Sequence, residues 1–399
     1  MTFHPDCFSH GYVVSSSGAV VHSAAAAWDT LDAGGLTYRF HDRTAYRHAA
    51  EPESAAEPDR PRSHVVLIGQ PIDLDHDTSD AGKIAEHALR LLRTAGPDQA
   101  IRYVAYLGGR FTCYLHRDDA VVEVVPDCHA TQSIYWRNDA AGFTASSHVE
   151  LVGGDGLAEV DQRARDLFDR LVRVRQGAGT KYLPGVLTAY DAVRPVLPNC
   201  LLRVDLAAGT AEHRRFYPFA ELPRHDPDTA YAQFEQLFCQ HVRLLGSLGR
   251  VGISLTSGLD SRVTLAAAGD TLAPDSFAFT FYRASNTSPE HADDLYEGNR
   301  LAWEYGLPHR VVKWDAPADP EFDVIFKASF PRFPQARKLA SAFRRQLPRG
   351  FFHFQSTIAE TGSGFYRRRE EAEISPRRLT HLWHGAEVAK DPAQVAAFD

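Results

Sequence analysis

The sequence predicts two domains in one chain: an α+β amino-terminal domain rich in antiparallel strands, then an α/β domain built on a parallel sheet. Three observations predict it. Short apolar runs ("GYVVSS", "HVVLIG", "RFTCYLH", "VVEVV" and "SIYW") recur with polar turns between them through about residue 155, as hairpin-linked strands do. Further on, strand-like and helix-like runs alternate: 250–255, 260–268, "SFAFTFY", "HADDLYEGNRLAWEYG" and "HRVVKW". That alternation means a parallel sheet wound on both faces. Finally, "RVGISLTSGLDSRVTLAAAG" (residues 250–269) carries an apolar strand through a turn of small residues straight into a helix.

Composition narrows the function classes. The chain has 399 residues, enough for two or three domains, with 44% hydrophobic and 24% charged residues, ordinary values for a soluble protein. A formal net charge of −8 argues against a general nucleic-acid binder. No apolar run reaches the length of a membrane span, and "MTFHPDCFSHGYVV" lacks the basic and apolar regions of a secretion signal. Cys7, Cys113, Cys128, Cys200 and Cys239 are scattered and odd in number, which favours free thiols in a reducing compartment. A cytoplasmic protein is expected, with neither nucleic acid nor membrane as partner. The histidines form no HxH or HExxH cluster, so a metal hydrolase gains no support.

Along the chain, "EPESAAEPDRPRS" (51–63) reads as a mobile surface loop. "DDAVVEVVPD" reads as part of a hairpin turning at Asp118 and Asp119. The D-x-D-x-D spacing of Asp73, Asp75 and Asp77 hints at calcium, but no glycine or distal glutamate completes such a loop, and a solvated turn is the stronger reading. A helix over "DQRARDLFDRLVRVRQ" opens a proline-punctuated connecting arm. In "TAYAQFEQLFCQHVRLLGSL", Tyr231, Phe234, Phe238, Val242 and Leu245 share one helical stripe, expected to face a core. The expected domains are 1–158, an arm at 159–225, and 226–399.

The loop at 256–261 follows a strand of the parallel sheet, where such sheets bind ligands. Its short side chains let backbone N–H groups turn inward, and the helix that starts near Asp260 adds the positive end of its dipole. Thr256, Ser257 and Ser261 offer hydroxyls to phosphate oxygens. Asp260 would repel bare phosphate, so its presence calls for Mg²⁺ between them. The loop lacks the lysine of GxxxxGK[ST]. The plainer alternative is a capped helix, with Ser257 or Asp260 as N-cap and Gly258 for the turn.

"SLTSGLDSR" resembles the S-G-G-x-D-S pyrophosphate loop of the asparagine synthetase superfamily, which includes β-lactam synthetases and lasso-peptide macrolactam synthetases. Two further stretches resemble the same family in the same order. "AYLGGRFTCYLHRDDAVVEVVPDCHATQSIYW" looks like the second half of its amino-terminal domain, and "VRPVLPNCLLRVDLAAGTAEHRRFYPF" like its linker. The resemblance covers roughly residues 65 to 315. It implies an Ntn-hydrolase-like first domain, degenerate as a glutaminase, and a second domain of the ATP-pyrophosphatase (adenine nucleotide α hydrolase-like) type.

In that family the loop grips the β- and γ-phosphates of ATP with Mg²⁺ while a carboxylate attacks the α-phosphorus. An amine then displaces AMP from the acyl-adenylate, giving an amide. Positioning and charge neutralisation at the leaving pyrophosphate carry most of such catalysis. The resemblance therefore implies ATP and Mg²⁺ as cofactors, and a small-molecule or peptide carboxylate and amine as substrates. By the same resemblance, Thr256, Ser257, Gly258, Asp260 and Ser261 hold pyrophosphate, with Asp260 on the metal, while Leu255, Phe279 and Thr280 frame the adenosine. "FAFTF" is equally what a buried strand looks like.

The chain also departs from the family. Ser257 stands where the loop usually has glycine, at a position where unusual backbone angles are expected. The family's G-A-D-E-l-f-G-G-Y segment finds only "IAETGSGFYRR", in which Glu360 matches the glutamate and Ala359 replaces the metal-binding aspartate. Glu360 acts alone in catalysis or is a helix-terminal residue. Arg367 to Arg369 reach a phosphate or, more in keeping with "RRREEAE", form a solvated helix face. Thr2 occupies the place of the family's nucleophilic cysteine, and no R-G-P-D or N-G-E-I counterpart is found, so no glutaminase activity is expected. The chain closes at "DPAQVAAFD" without the family's lysine-bearing helices; neither Lys390 nor the arginines up to 378 match that lysine. The expectation is that a longer product, a partner chain or a homo-oligomer completes the site, and that the isolated chain turns over slowly. Two functions follow: an AMP-forming amide ligase or cyclase, and a non-catalytic binding or scaffold subunit of the same type. A sulfur-transfer or tRNA-modifying pyrophosphatase is a weaker third.

Overall fold

Apolar alternation in short strands builds the first of two units. The computed structural model describes residues 3–52, 62–117, 120–174, 183–283, 285–286, 288–331, 336–356 and 374–398. Thr2, residues 53–61, Asp118, Asp119, Ala359, Glu360 and Arg367 to Arg369 lie outside the described residues. One unit comprises residues 1–71, 81–221 and 369–399; the other comprises 72–80 and 222–368.

In the first unit the strands and helices run β1 (Tyr12–Ser16), β2 (Asp29–Ala33), β3 (Leu36–Phe40), β4 (Tyr46–Ala50), β5 (His64–Ile72), α1 (Ala81–Thr94), α2 (Pro97–Ala105), β6 (Gly108–His116), β7 (Val121–Pro126), β8 (Tyr135–Asp139) and β9 (Gly142–Ser146). They continue with α3 (Val149–Gly153), α4 (Gln162–Val174), β10 (Arg194–Pro195), β11 (Cys200–Asp205) and β12 (Thr210–Arg215). Among the described residues the strands form two six-stranded sheets, ordered β10-β8-β9-β1-β3-β2 and β12-β11-β7-β6-β5-β4. The neighbours β1–β3, β8–β9, β6–β7 and β11–β12 pair antiparallel.

The sheets pack face to face. Tyr12, Val14, Tyr38 and Phe40 from one meet Val66, Ile68, Tyr114, Val122 and Val124 from the other in a single core. On its far side the second sheet buries Val65, Leu67, Phe111, Cys113 and Val125 under Ile84, Ala88, Leu92, Ile101 and Val104 of α1 and α2. A strand covered on both faces needs apolar residues at successive positions, which is why "HVVLIG" and "VVEVV" do not alternate. The polar exception, Glu123, is wholly buried and sits directly opposite Arg203 of β11. The Arg203 guanidinium donates to it at 2.7 Å, and Arg214 stands 4.0 Å away. Burial raises the Glu123 carboxyl above its ordinary range, and the two guanidiniums pull it back.

Residues 194–215, within the segment expected as a connecting arm between the domains, add strands to both sheets of the first unit. Leu201 enters the helix-covered core, while Leu202 and Val204 enter the core between the sheets. The end of the chain also belongs to this unit: Gln394 Nε2 donates to the Leu167 carbonyl of α4 at 2.7 Å.

The second unit runs α5 (Pro227–Gly246), β13 (Val251–Ser254), α6 (Leu259–Ala268), β14 (Phe277–Tyr282), α7 (Pro289–Glu304), β15 (His309–Lys313), α8 (Pro320–Ser329), α9 (Arg337–Gln346) and β16 (Phe352–Phe354). Its sheet is parallel throughout, in the order β15-β14-β13-β16. Val251, Ile253 and Leu255 pack with Val242, Leu265 and Ala302 on one side, and Phe277, Phe279 and Val312 pack with Ala342 and Leu347 on the other.

The α5 stripe departs from expectation. Val242 is buried and Phe238 and Leu245 pack against the core, but Tyr231 is 74% and Phe234 57% exposed. The helix has 20 residues, about 30 Å; β13 has four, about 13 Å. Only the last turns of α5 therefore overlie the sheet. The Asp73–Asp77 segment is a tight turn in which Asp73 binds His76 and Asp77, at φ 49°, accepts from Gln240 at 3.0 Å and from Arg243. Among the described residues, no group of three or more His, Cys, Asp or Glu could hold a metal ion, and no helix is long and apolar enough to cross a membrane. All five cysteines are free.

Candidate functional site

Chain order in the parallel sheet is 3-2-1-4: the first strand, β13, lies between β14 and β16. After β13 the chain turns one way to reach β14 and β15, and the other way to reach β16. The carboxyl end of β13 is therefore a topological switch point, where sheets of this kind open a crevice for ligands. Residues 256–261 occupy it.

The loop is held by its own hydroxyls and by α7. Thr256 N–H donates to Ser261 Oγ (3.1 Å), and Gly258 N–H donates to Thr256 Oγ1 (3.1 Å). Ser261, 6% exposed, returns its hydroxyl to the carbonyls of Thr256 and Gly258. Ser257 gives both its N–H (2.9 Å) and its hydroxyl (2.6 Å) to Asp294 Oδ1 on α7. Gly258 is the N-cap of α6 at φ −63°, without a side-chain cap. The capped-helix alternative, with Ser257 or Asp260 as cap, is thus not what forms. Ser257 is absent from the residues with positive φ, so the serine at the family's glycine position is not strained.

Asp260 stands exposed in the first turn of α6. Leu255 and Phe279 are wholly buried, and Phe279 packs against Phe343, Phe351 and His353. Both build the strand ends from within the core and present no side-chain surface. The Thr280 hydroxyl is also turned inward, donating to the Leu255 carbonyl (2.6 Å) and meeting His309 Nε2 (2.9 Å).

Residues missed in the sequence complete the surroundings. Asp294 is the chief one; "HADDLY" shows an acidic pair, but nothing in the spacing says that it reaches the loop. On the β16 side, His353 Nε2 meets Ser254 Oγ at 2.8 Å, and Ser356 meets Thr264 of α6 at 2.6 Å. Burial lowers the His353 pKa to about 4, so the imidazole is neutral at physiological pH.

Helix α7 can approach the loop because residue 298 is glycine. A Cβ there would stand 2.5 Å from Thr280 Oγ1 and 3.1 Å from the Leu255 carbonyl. Gly298→Ala is expected to destabilise the protein by about 1–3 kcal/mol through overpacking, read by urea denaturation. An unchanged midpoint would show that α7 is free to shift.

No known protein-family profile matches the chain, and no curated protein matches it. Among solved structures, the chain is similar to glutamine-dependent NAD+ synthetase from Acinetobacter baumannii in complex with ADP, at 15% identity and a TM-score of 0.23, over 45% of this chain and 34% of that one. It spans about a third of that protein's length. Glutamine phosphoribosylpyrophosphate amidotransferase from B. subtilis, complexed with ADP and GMP, matches at 9% identity and a TM-score of 0.32, over 85% of this chain and 91% of that one. An allosteric regulatory enzyme of purine biosynthesis matches at 10% identity and 0.31, over 92% and 89%. These scores assign no family. The architecture stands on strand order and register.

Proposed function

We propose that the second unit binds MgATP at residues 256–261 and that the protein is an AMP-forming carboxylate–amine ligase. One observation carries the reading. A loop of short hydroxylated residues lies at the switch point of a 3-2-1-4 parallel sheet, leading into a helix whose amino terminus has no side-chain cap. The free N–H groups of that first turn and the helix dipole favour an anion. The residues fit a metal-bound pyrophosphate: Asp260 is exposed beside those donors, placed for Mg²⁺, while Thr256 and Ser261 keep the loop in shape. The metal's contribution is to neutralise charge on the departing phosphates. Ser257 adds its donors once Asp294 yields them.

Pyrophosphate release from ATP tests this, with a panel of carboxylic acids with and without amines. Carboxylate-dependent release together with AMP supports the ligase. ATP binding without release supports the second reading, a non-catalytic binding subunit. That second reading draws on Asp294, whose carboxylate already holds the Ser257 donors.

We also propose that the first unit has no glutaminase activity. Cys7 is buried, and burial raises its pKa, keeping the thiol protonated and a poor nucleophile. Incubation with glutamine is expected to yield no glutamate above a no-enzyme control; formation lost in Thr2→Ala or Cys7→Ala overturns this.

A further inference from the structure

The first unit carries a polar cleft of its own, about 500 Å³, a size that suits a small metabolite. Its walls are the end of β1 and the turn after it, the β2–β3 hairpin, and the start of β5. The strand register sets its chemistry. Ser15 pairs with Thr37, and Thr37 with Asp32, so three short polar residues form a row across β1, β3 and β2. Arg39, two residues along the same face of β3, donates to Ser15 Oγ at 3.0 Å. The hairpin turns on Gly34 (φ 57°) and Gly35 (φ 79°), a pair of left-handed conformations that glycine adopts without strain. A Cβ on Gly34 would stand 2.1 Å from the His116 ring, so this wall has to be bare backbone.

Charge decides what the cleft suits. Arg39 is anchored by a neutral hydroxyl, and among the described residues no carboxylate forms an ion pair with it or with Arg62, which lines the same cleft with His64. Asp32, the acid of the cleft, accepts the Thr37 hydroxyl at 2.6 Å. Two guanidiniums with no ion pair among the described residues, against one acid already engaged by Thr37 and among hydroxyls and glycine backbone, match a compact oxyanion. Arginine suits both carboxylate and phosphate through paired N–H donors.

We propose that this cleft binds a small metabolite through one carboxylate or phosphate group held between Arg39 and Arg62. The proposal is independent of the nucleotide reading, which concerns the other unit. Titration calorimetry of the full chain with inorganic phosphate, and separately with succinate, tests it. Saturable binding of at least one anion is expected, weakened about tenfold or more by Arg62→Gln, with the tighter anion naming the headgroup. Arg39→Gln should act likewise. Because it also loses the Ser15 contact, Arg62→Gln is the deciding variant, and circular dichroism confirms that both are folded. Arg262→Gln, on the helix after the 256–261 loop, should leave the binding unchanged. Absence of saturable binding of either anion at millimolar concentration overturns the proposal. So does binding that survives Arg62→Gln, or binding that Arg262→Gln removes.

Discussion

Asp260→Ala should abolish stabilisation of the protein by MgATP. A ligand that binds only the folded state stabilises it by about 2.7 kcal/mol at a hundredfold excess over its dissociation constant. The whole of that shift is expected to depend on Asp260, because without its carboxylate the metal would be lost and the phosphates would face the Asp294 carboxylate unneutralised. The side chain is exposed in the first turn of α6, so the substitution removes no core packing and the apo protein should melt as before. Thermal-shift titration with MgATP, and with ATP plus a chelator, is the measurement. Wild-type protein that shows no MgATP-dependent shift at millimolar nucleotide would sink the nucleotide reading. An Asp260→Ala variant that keeps the full shift would sink the metal role alone.

Arg203→Ala is expected to cost about 3 kcal/mol, the low end of the range for leaving a buried charge unpaired, because Glu123 is buried while Arg203 is itself 34% exposed. Glu123 lies wholly inside the second sheet, and Arg203 is its closest counter-charge; Arg214, at 4.0 Å, is a poor substitute. The pH dependence has a definite sign. The folded pKa of Glu123 is raised above its unfolded value, chiefly by burial. The group's contribution is therefore fully present below the ordinary carboxylate range, and it is lost as pH rises through the raised folded value. Removing Arg203 raises that value further, so the variant's deficit should shrink in acid and grow toward neutral pH. Urea denaturation across that range checks it, with Arg203→Ala/Glu123→Gln expected to recover much of the loss. A deficit independent of pH would mean that the packing of the arginine stem, and not its charge, is what matters.

What could be read from the sequence was whatever depends on neighbours along the chain. The short apolar runs "RFTCYLH" and "VVEVV", the βαβ alternation after residue 250, and the strand–turn–helix at 250–269 all rest on consecutive residues, and the structure has elements at these places. The loop's residues were likewise legible, because a turn of small hydroxylated residues is written in consecutive positions. Several short strands escaped, β2, β3, β4 and β16 among them. β16 has three residues, too few for a period to show, yet its place beside β13 is what makes the carboxyl end of β13 a switch point.

Tertiary structure decided everything that depends on distant partners. Leu255, Phe279 and Thr280 were legible as strand-end residues, but only packing shows them turned into the core. Asp294 lies 37 residues from Ser257, and its carboxylate reaches the loop only because Gly298 lets α7 close on β14. The exposure of Tyr231 and Phe234 on α5 follows from a helix outrunning its sheet, a mismatch of lengths that no helical stripe records. Local sequence sets backbone preference and the face of each element. Which charges meet, which hydroxyls are spent inside the protein and which remain for a ligand depends on contacts made across the fold.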